Sequence, residues 1–370
     1  MGSEYTSALE IGIERMRAEH SALLRDGRLW SLRELFSTPD CDIAEYCRDF
    51  RPNRFGDEAC ARVEQFCRER NIWLEAGGVH YNSMTPYLHP GAITAERMTV
   101  IGLYNAILFW LNDTVGREKF AHLDPDEQHA AQTAVKRMCR LLEIRATAED
   151  PTPVESATGE FVAMLTHLAQ PQWLDRFLAS TIAHLRSAIQ DQNARARGSL
   201  LDVGEYIELR SHVSGMYPAI ELCEFGQDRY LPWDDIHRAG VAADLERLQM
   251  LTVEIGALMN DVFSFEKECI ADLADFNLIP LWLLNNPGSD LPRAVEAAAA
   301  VVRDRVTEFR QVNTRVDSHC TRLRPLDPEL AQTVAIHATD LSDCVRATWV
   351  WQVTTARYKG KSIFAENCVV

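Results

Sequence analysis

The chain has 370 residues, with 38 Lys+Arg against 54 Asp+Glu and a formal net charge of −16. Its 46% hydrophobic and 25% charged residues are globular values, which exclude a disordered or fibrous chain. The acidic balance argues against nucleic acid as a partner, because that affinity comes from Lys and Arg neutralising phosphates. A phosphate ester would need cations to mediate its binding.

At the start, Met1-Gly2 with Thr6 formally fits a myristoylation site and is read as coincidence; no secretory signal is expected. Ten cysteines are irregularly spaced without a CxxC pair, which predicts reduced, buried thiols in a cytoplasmic protein. The apolar run Met98 to Leu111 is broken by Asn105 and is too short to span a bilayer. It belongs to a helix that begins near Thr94 and stops before Asp124. Asp124-Pro125-Asp126-Glu127 starts the next helix, to about Glu143, with Ala130, Ala134, Met138, Leu141 and Leu142 on its apolar face. The stretch Arg145 to Thr158 reads as a loop. Helices are then expected at about 159–170, from Pro171 to about Ala194, and at 202–226, 239–270, 276–286, 292–323 and 327–358. Pro151 to Pro153 is too short a linker to divide two domains, so residues 1–370 read as one all-α domain. No GxGxxG, P-loop or solenoid repeat is present.

Four constellations carry possible chemistry. Asn260, Ser264 and Glu268 are spaced i, i+4, i+8. They drift about 80° around a helix over about 12 Å, placing three hard oxygen donors suited to Mg²⁺ on one stripe. Lys267 lies close to that stripe. The plain alternative is a polar helix face. Upstream, Asn112-Asp113-Thr114 closes an unusually apolar helix, where the dipole disfavours an anion; Arg117 or a metal would relieve Asp113. Between them, Arg210 precedes a break. Pro218 cannot donate to the carbonyl of Ser214, and Gly215 loosens the same point. Finally, Arg357-Tyr358 follows Trp349 and Trp351 at the end of the last helix.

Together these residues resemble a bacterial class I terpene synthase. The Asn260–Glu268 stretch resembles the family's second metal motif, (N/D)Dxx(S/T)xxx(E/D). Asp113 with Glu118 resembles the first, aspartate-rich motif, with Asn112 in reserve and Gly116 at the place of its last acid. Arg210 resembles the diphosphate-sensing arginine, Val213 and Ser214 the linker and effector, and Arg357-Tyr358 the terminal pair. Asp234-Asp235 reads better as a helix start.

The resemblance implies a helical bundle around a central apolar cavity. It implies three Mg²⁺ held by Asp113, Glu118, Asn260, Ser264 and Glu268. Arg210, Lys267, Arg357 and Tyr358 would then grip the diphosphate of an isoprenyl substrate. Phe109, Trp110, Phe263, Trp349 and Trp351 are candidate walls for a carbocation, each with core packing as its alternative. The first-motif region leans towards the diterpene cyclases and geranylgeranyl diphosphate over farnesyl diphosphate. A homodimer would suit the family; nucleic acid and membrane partners are not expected. The alternatives are a chain-elongating prenyl diphosphate synthase, which normally carries two DDxxD motifs, and a non-catalytic all-α scaffold.

Overall fold

Every residue from Leu251 to Met259 is buried. A helix without a solvated face lies at the centre of its domain, and this one carries the second candidate metal motif. The structure, a computed structural model, describes residues 2–116, 120, 122–188 and 190–368. Its helices are α1 (Gly2–Arg25), α2 (Leu32–Phe36), α3 (Ile43–Tyr46), α4 (Gly56–Glu69), α5 (Gly78–Leu88), α6 (Ala95–Val115), α7 (Pro125–Ile144), α8 (Pro153–Leu168), α9 (Pro171–Ala188), α10 (Ala194–Arg197), α11 (Val203–Val213), α12 (Met216–Gln227), α13 (Trp233–Arg238), α14 (Ala242–Phe265), α15 (Leu278–Asn285), α16 (Leu291–Leu323) and α17 (Pro328–Thr354). Among the described residues there is no strand, only isolated bridges. No described helix is long and apolar enough to cross a membrane.

Two apolar clusters fill the bundle. One gathers α14, α16 and α17, with Leu245, Leu258, Val302, Phe309 and Leu341 fully buried. The other gathers α4, α6, α7, α8 and α9 around Ile101, Phe161, Trp173 and Phe177. The candidate site opens between them.

Capping sets most helix boundaries. Asp124 caps α7 with Pro125 in the first turn, as expected, and it forms a capping box with Glu127. The segment expected to loop as far as Thr158 instead becomes helical at Pro153. Thr152 Oγ1 accepts from the Glu155 N–H at 3.4 Å, and Glu155 Oε2 accepts from the Thr152 N–H at 2.7 Å. Ala130 is exposed; Ala131 and Val135 take its place on the buried face of α7. The helix after Pro171 stops at Ala188, short of Ala194. The 202–226 span is two helices, parted at Ser214-Gly215, where Gly215 takes φ +79°. The last helix ends at Thr354, and a 3₁₀ turn holds Ala356–Tyr358. The tail then crosses the end of α14. The Trp30 N–H donates to the Ile363 carbonyl and the Ala365 N–H to the Trp30 carbonyl, both at 2.8 Å; Asn367 Nδ2 reaches the Phe263 carbonyl at 3.0 Å.

Asp340 of α17 is buried where Gln227 Nε2 donates to its Oδ1 at 2.9 Å. Gly91 closes over this pair: a Cβ there would stand 2.2 Å from Gln227 Nε2 and 2.6 Å from Asp340 Oδ1. Burial pushes the Asp340 carboxyl up to about 7, against the pull of the Gln227 hydrogen bond. A carboxyl raised on folding contributes stability that is present below about pH 4 and lost as pH rises through the folded value. Asp340→Asn is therefore expected to stabilise the fold by on the order of 2–4 kcal/mol at pH 8, with the gain shrinking as pH falls below about 7 and gone by about pH 4. Urea unfolding of both proteins across that range checks it; a pH-independent difference would contradict the assignment.

Candidate functional site

The second motif lies where α14 changes its winding. After Phe265 the backbone forms a π turn over Glu266–Ala271, a feature found mostly at functional sites. Asn260 and Glu268 line a cavity of about 1290 Å³, its open mouth included. Ser264, which stands between them in sequence, is fully buried behind the cavity wall and does not line it, and its Oγ has no hydrogen-bond partner. A buried hydroxyl left unpaired costs about 1–3 kcal/mol, so an added oxygen-seeking ligand would relieve a real deficit. The amide, hydroxyl and carboxylate are hard donors that fit Mg²⁺, and the residues present therefore fit the expected metal. No group of three or more His, Cys, Asp or Glu side chains positioned for a metal occurs among the described residues.

Arg210 is fixed to this motif from α11. Its Nε donates to Asp261 Oδ1 at 2.8 Å and its Nη2 to Asn260 Oδ1 at 3.1 Å. Arg210 is 4% exposed and Asp261 fully buried. Asp261 also accepts from the Tyr206 hydroxyl at 2.5 Å and the Leu278 N–H at 3.1 Å, while Asn277 Nδ2 donates to its carbonyl at 2.8 Å. Burial opposes the charge on Arg210, yet Asp261 and its neighbours outweigh it and hold the guanidinium above its ordinary value. Asn260 Nδ2 in turn donates to the Tyr358 hydroxyl at 2.9 Å and to Gln352 Oε1 at 3.1 Å.

The first motif is built differently. Asp113 accepts from Asn112 Nδ2 at 3.0 Å and from the Tyr81 hydroxyl; Arg357 Nη1 donates to the same hydroxyl. Tyr81 stacks on Phe109 at 4.0 Å, and the Arg357 guanidinium covers its other face at 4.5 Å. Asn112 lines the cavity, whereas Asp113 turns to Tyr81. Gly116 ends α6 so tightly that a Cβ would fall 2.4 Å from the Asn112 carbonyl oxygen. No carboxylate can stand there, which explains the missing last acid of the motif. Glu118, the expected substitute, lies outside the described residues.

Phe109, Val213, Ser214, Trp351, Arg357 and Tyr358 line the cavity. Pro218 leaves the Ser214 carbonyl without its helical donor. Trp110 packs against the second apolar cluster. Trp349 lies in the core, against Phe36 and Phe263 at 6.2 and 5.8 Å, because the two aromatics of α17 two residues apart point to different sides. Neither of these tryptophans, nor Phe263, is on the cavity wall. Lys267 is also off the wall, paired with Asp272 at 3.3 Å. Asp234 and Asp235 occupy the first turn of α13, away from the cavity.

Sequence reasoning missed Tyr81, Tyr206 and Glu266. Glu266 Oε1 meets His20 Nε2 at 2.9 Å and the Ile363 N–H at 2.8 Å, and its other oxygen accepts from the Ser362 hydroxyl. It ties α1, the π turn and the tail together.

A family model described as terpene synthase family 2, C-terminal metal binding, matches residues 103–308, more than half of the chain. The chain belongs to that family. Within it, the chain is 27% identical over 209 residues to sesquiterpene synthase Agr1 of Cyclocybe aegerita, covering 56% of this chain and 57% of that one. It is 26% identical over 208 residues to the 7-epi-alpha-eudesmol synthase ((2E,6E)-farnesyl diphosphate cyclizing) of Streptomyces viridochromogenes, covering 56% and 59%. The chain thus spans less than two thirds of the length of these curated relatives. The all-α fold matches the crystal structure of an α-eudesmol synthase with a TM-score of 0.68 at 21% identity, over 83% of this chain and 97% of that one. These two curated relatives are named for a sesquiterpene and for farnesyl diphosphate, so the lean towards the diterpene cyclases is not supported.

Removing Asp261 leaves the Arg210 charge buried without its partner. Asp261→Ala is expected to cost about 3–5 kcal/mol, read by urea unfolding. The double change Arg210→Met with Asp261→Leu should recover most of it. A neutral Asp261→Ala would contradict the pairing.

Proposed function

We propose that this terpene synthase ionises farnesyl diphosphate with Mg²⁺ and cyclises the resulting cation to a sesquiterpene, releasing diphosphate. One observation carries the reading: oxygen donors and cationic groups gather around a largely apolar cavity with an open mouth. Asn260, Glu268, Arg210, Arg357 and Tyr358 supply those groups, while Met84, Leu88, Leu108 and Phe109 line the same cavity. The C15 substrate is favoured by the names of the relatives.

Asn260, Ser264 and Glu268 would hold Mg²⁺, with Asp113 of α6 and, by the resemblance, Glu118 contributing. Bound there, the metal supplies Lewis-acid stabilisation of the departing diphosphate oxygens. Arg210 offers that diphosphate a pre-oriented guanidinium, since Asp261 fixes its direction before substrate arrives. Arg357 and the Tyr358 hydroxyl donate from the other side. The freed Ser214 carbonyl turns the negative end of a dipole towards the allyl cation. Phe109 and Trp351 present aromatic faces, worth roughly 0.5–2 kcal/mol each to a nearby cation. The apolar wall keeps bulk water away while the chain folds on itself.

Purified protein incubated with Mg²⁺ and either farnesyl or geranylgeranyl diphosphate, followed by diphosphate assay and gas chromatography–mass spectrometry, tests the proposal. Farnesyl diphosphate is expected to give cyclic C15 products. Asn260→Ala and Glu268→Ala should each lower turnover on the order of 100-fold or more, the scale of losing one preorganised charge-stabilising group. Preference for the C20 substrate would overturn the chain length, and unchanged turnover in both variants would overturn the mechanism.

A further inference from the structure

A chamber that returns only hydrocarbon has no need of a buried amide. Asn105 of α6 is 4% exposed and lines the cavity. It stands seven residues before Asn112, about 10 Å deeper along the helix. Its Nδ2 donates to Thr85 Oγ1 at 2.9 Å, and its Oδ1 receives no hydrogen bond from the described residues. Asn112 Nδ2 donates to Asp113 at 3.0 Å, and its Oδ1 likewise accepts nothing from the described residues; most of the other polar side chains of the wall are engaged. Gln352 accepts from Asn260 at 3.1 Å. Ser214 Oγ donates to the Ser211 carbonyl at 2.8 Å and accepts from the Met216 N–H at 3.1 Å. His184 Nδ1 meets the His212 carbonyl at 3.3 Å. Thr348 Oγ1 donates to the Cys344 carbonyl at 2.9 Å and keeps its own lone pairs. Asn105 Oδ1 is thus an acceptor on a buried residue that faces the cavity with no protein donor among the described residues, a place where an ordered water can bind.

We propose, resting on the reaction above, that Asn105 holds a water molecule at the chamber floor and that this water ends the reaction, giving a sesquiterpene alcohol. The water donates one hydrogen to Asn105 Oδ1, with the Thr348 oxygen as a second acceptor on the same wall, which leaves a lone pair facing the chamber. That lone pair forms a C–O bond to the final cationic carbon. The resulting oxonium hands its proton to a solvent water as the product moves back to the open mouth, and the diphosphate released there takes it up, so charge and atoms balance. Depth supplies the timing: ionisation occurs at the rim, and a cation meets this water only after the chain has folded down to Asn105.

The test begins with the unmodified protein turning over farnesyl diphosphate and Mg²⁺ in H₂¹⁸O. The expected main product is an alcohol two mass units heavier than that formed in ordinary water. Asn105→Leu and Asn105→Met, each checked for a cooperative thermal melt, should raise the hydrocarbon-to-alcohol ratio about tenfold, the scale of one lost hydrogen bond. Purely hydrocarbon products, an unlabelled alcohol, or an unchanged ratio in a folded variant overturns the role of Asn105 while leaving the cyclisation standing. No diphosphate release from the unmodified protein overturns the cyclisation itself.

Discussion

The buried pair of Arg210 and Asp261 is the contact on which the site depends. It joins α11 to the central helix at the level of Asn260, and both charges are almost wholly removed from water. Such a pair is tolerable only when its remaining hydrogen-bonding capacity is filled. Tyr206, Leu278 and Asn277 close that shell around Asp261. The guanidinium is then left with one direction, along the Asn260 side of the cavity. Electrostatic order is thus built into the folded chain, which is where the proposed charge-separating reaction would gain most.

Two departures from regular helix aim the remaining groups. At Ser214-Gly215 the chain leaves α11 and re-enters as α12, with Gly215 at φ +79°. Pro218 keeps the freed carbonyl from being reclaimed. At Glu266–Ala271 the π turn changes the angle carried by each residue, so the direction of Glu268 is set by the turn and not by α spacing. Glu266 pins that turn to His20 and to Ser362 and Ile363. The tail that begins just after Arg357-Tyr358 is therefore tied back to the metal motif itself.

Much of this was legible in the chain because it is local. Caps such as Asp124-Pro125 mark helix starts in a few residues, and the Asn260–Ser264 spacing needs only one helix, whereas the π turn that carries Glu268 off that spacing was not legible. The break at Pro218 follows from a missing N–H. What stayed hidden is tertiary. Tyr81 reaches Asp113 over 32 residues and Arg357 over 276, and nothing near Tyr81 marks it. Trp349 and Trp351 differ in role only because one faces Phe36 and the other faces Ser83 and the cavity; an aromatic on a buried helix reads the same for core and for wall. The helix start at Thr152 was masked by the surrounding acids and prolines. The missing acid at Gly116 was visible, but its cause, a backbone too close for any Cβ, was not.

The central claim is that the unpaired Ser264 hydroxyl, with Asn260 and Glu268, belongs to a divalent metal set facing the cationic rim. A crystal structure of the protein grown with Mg²⁺ and inorganic diphosphate addresses it most directly. The account expects Mg²⁺ at 2.0–2.1 Å from oxygens of Asn260, Ser264 and Glu268, with the diphosphate between that metal and Arg210, Arg357 and Tyr358. Diphosphate bound elsewhere, or a Ser264 hydroxyl still without a ligand beside bound diphosphate, would contradict it.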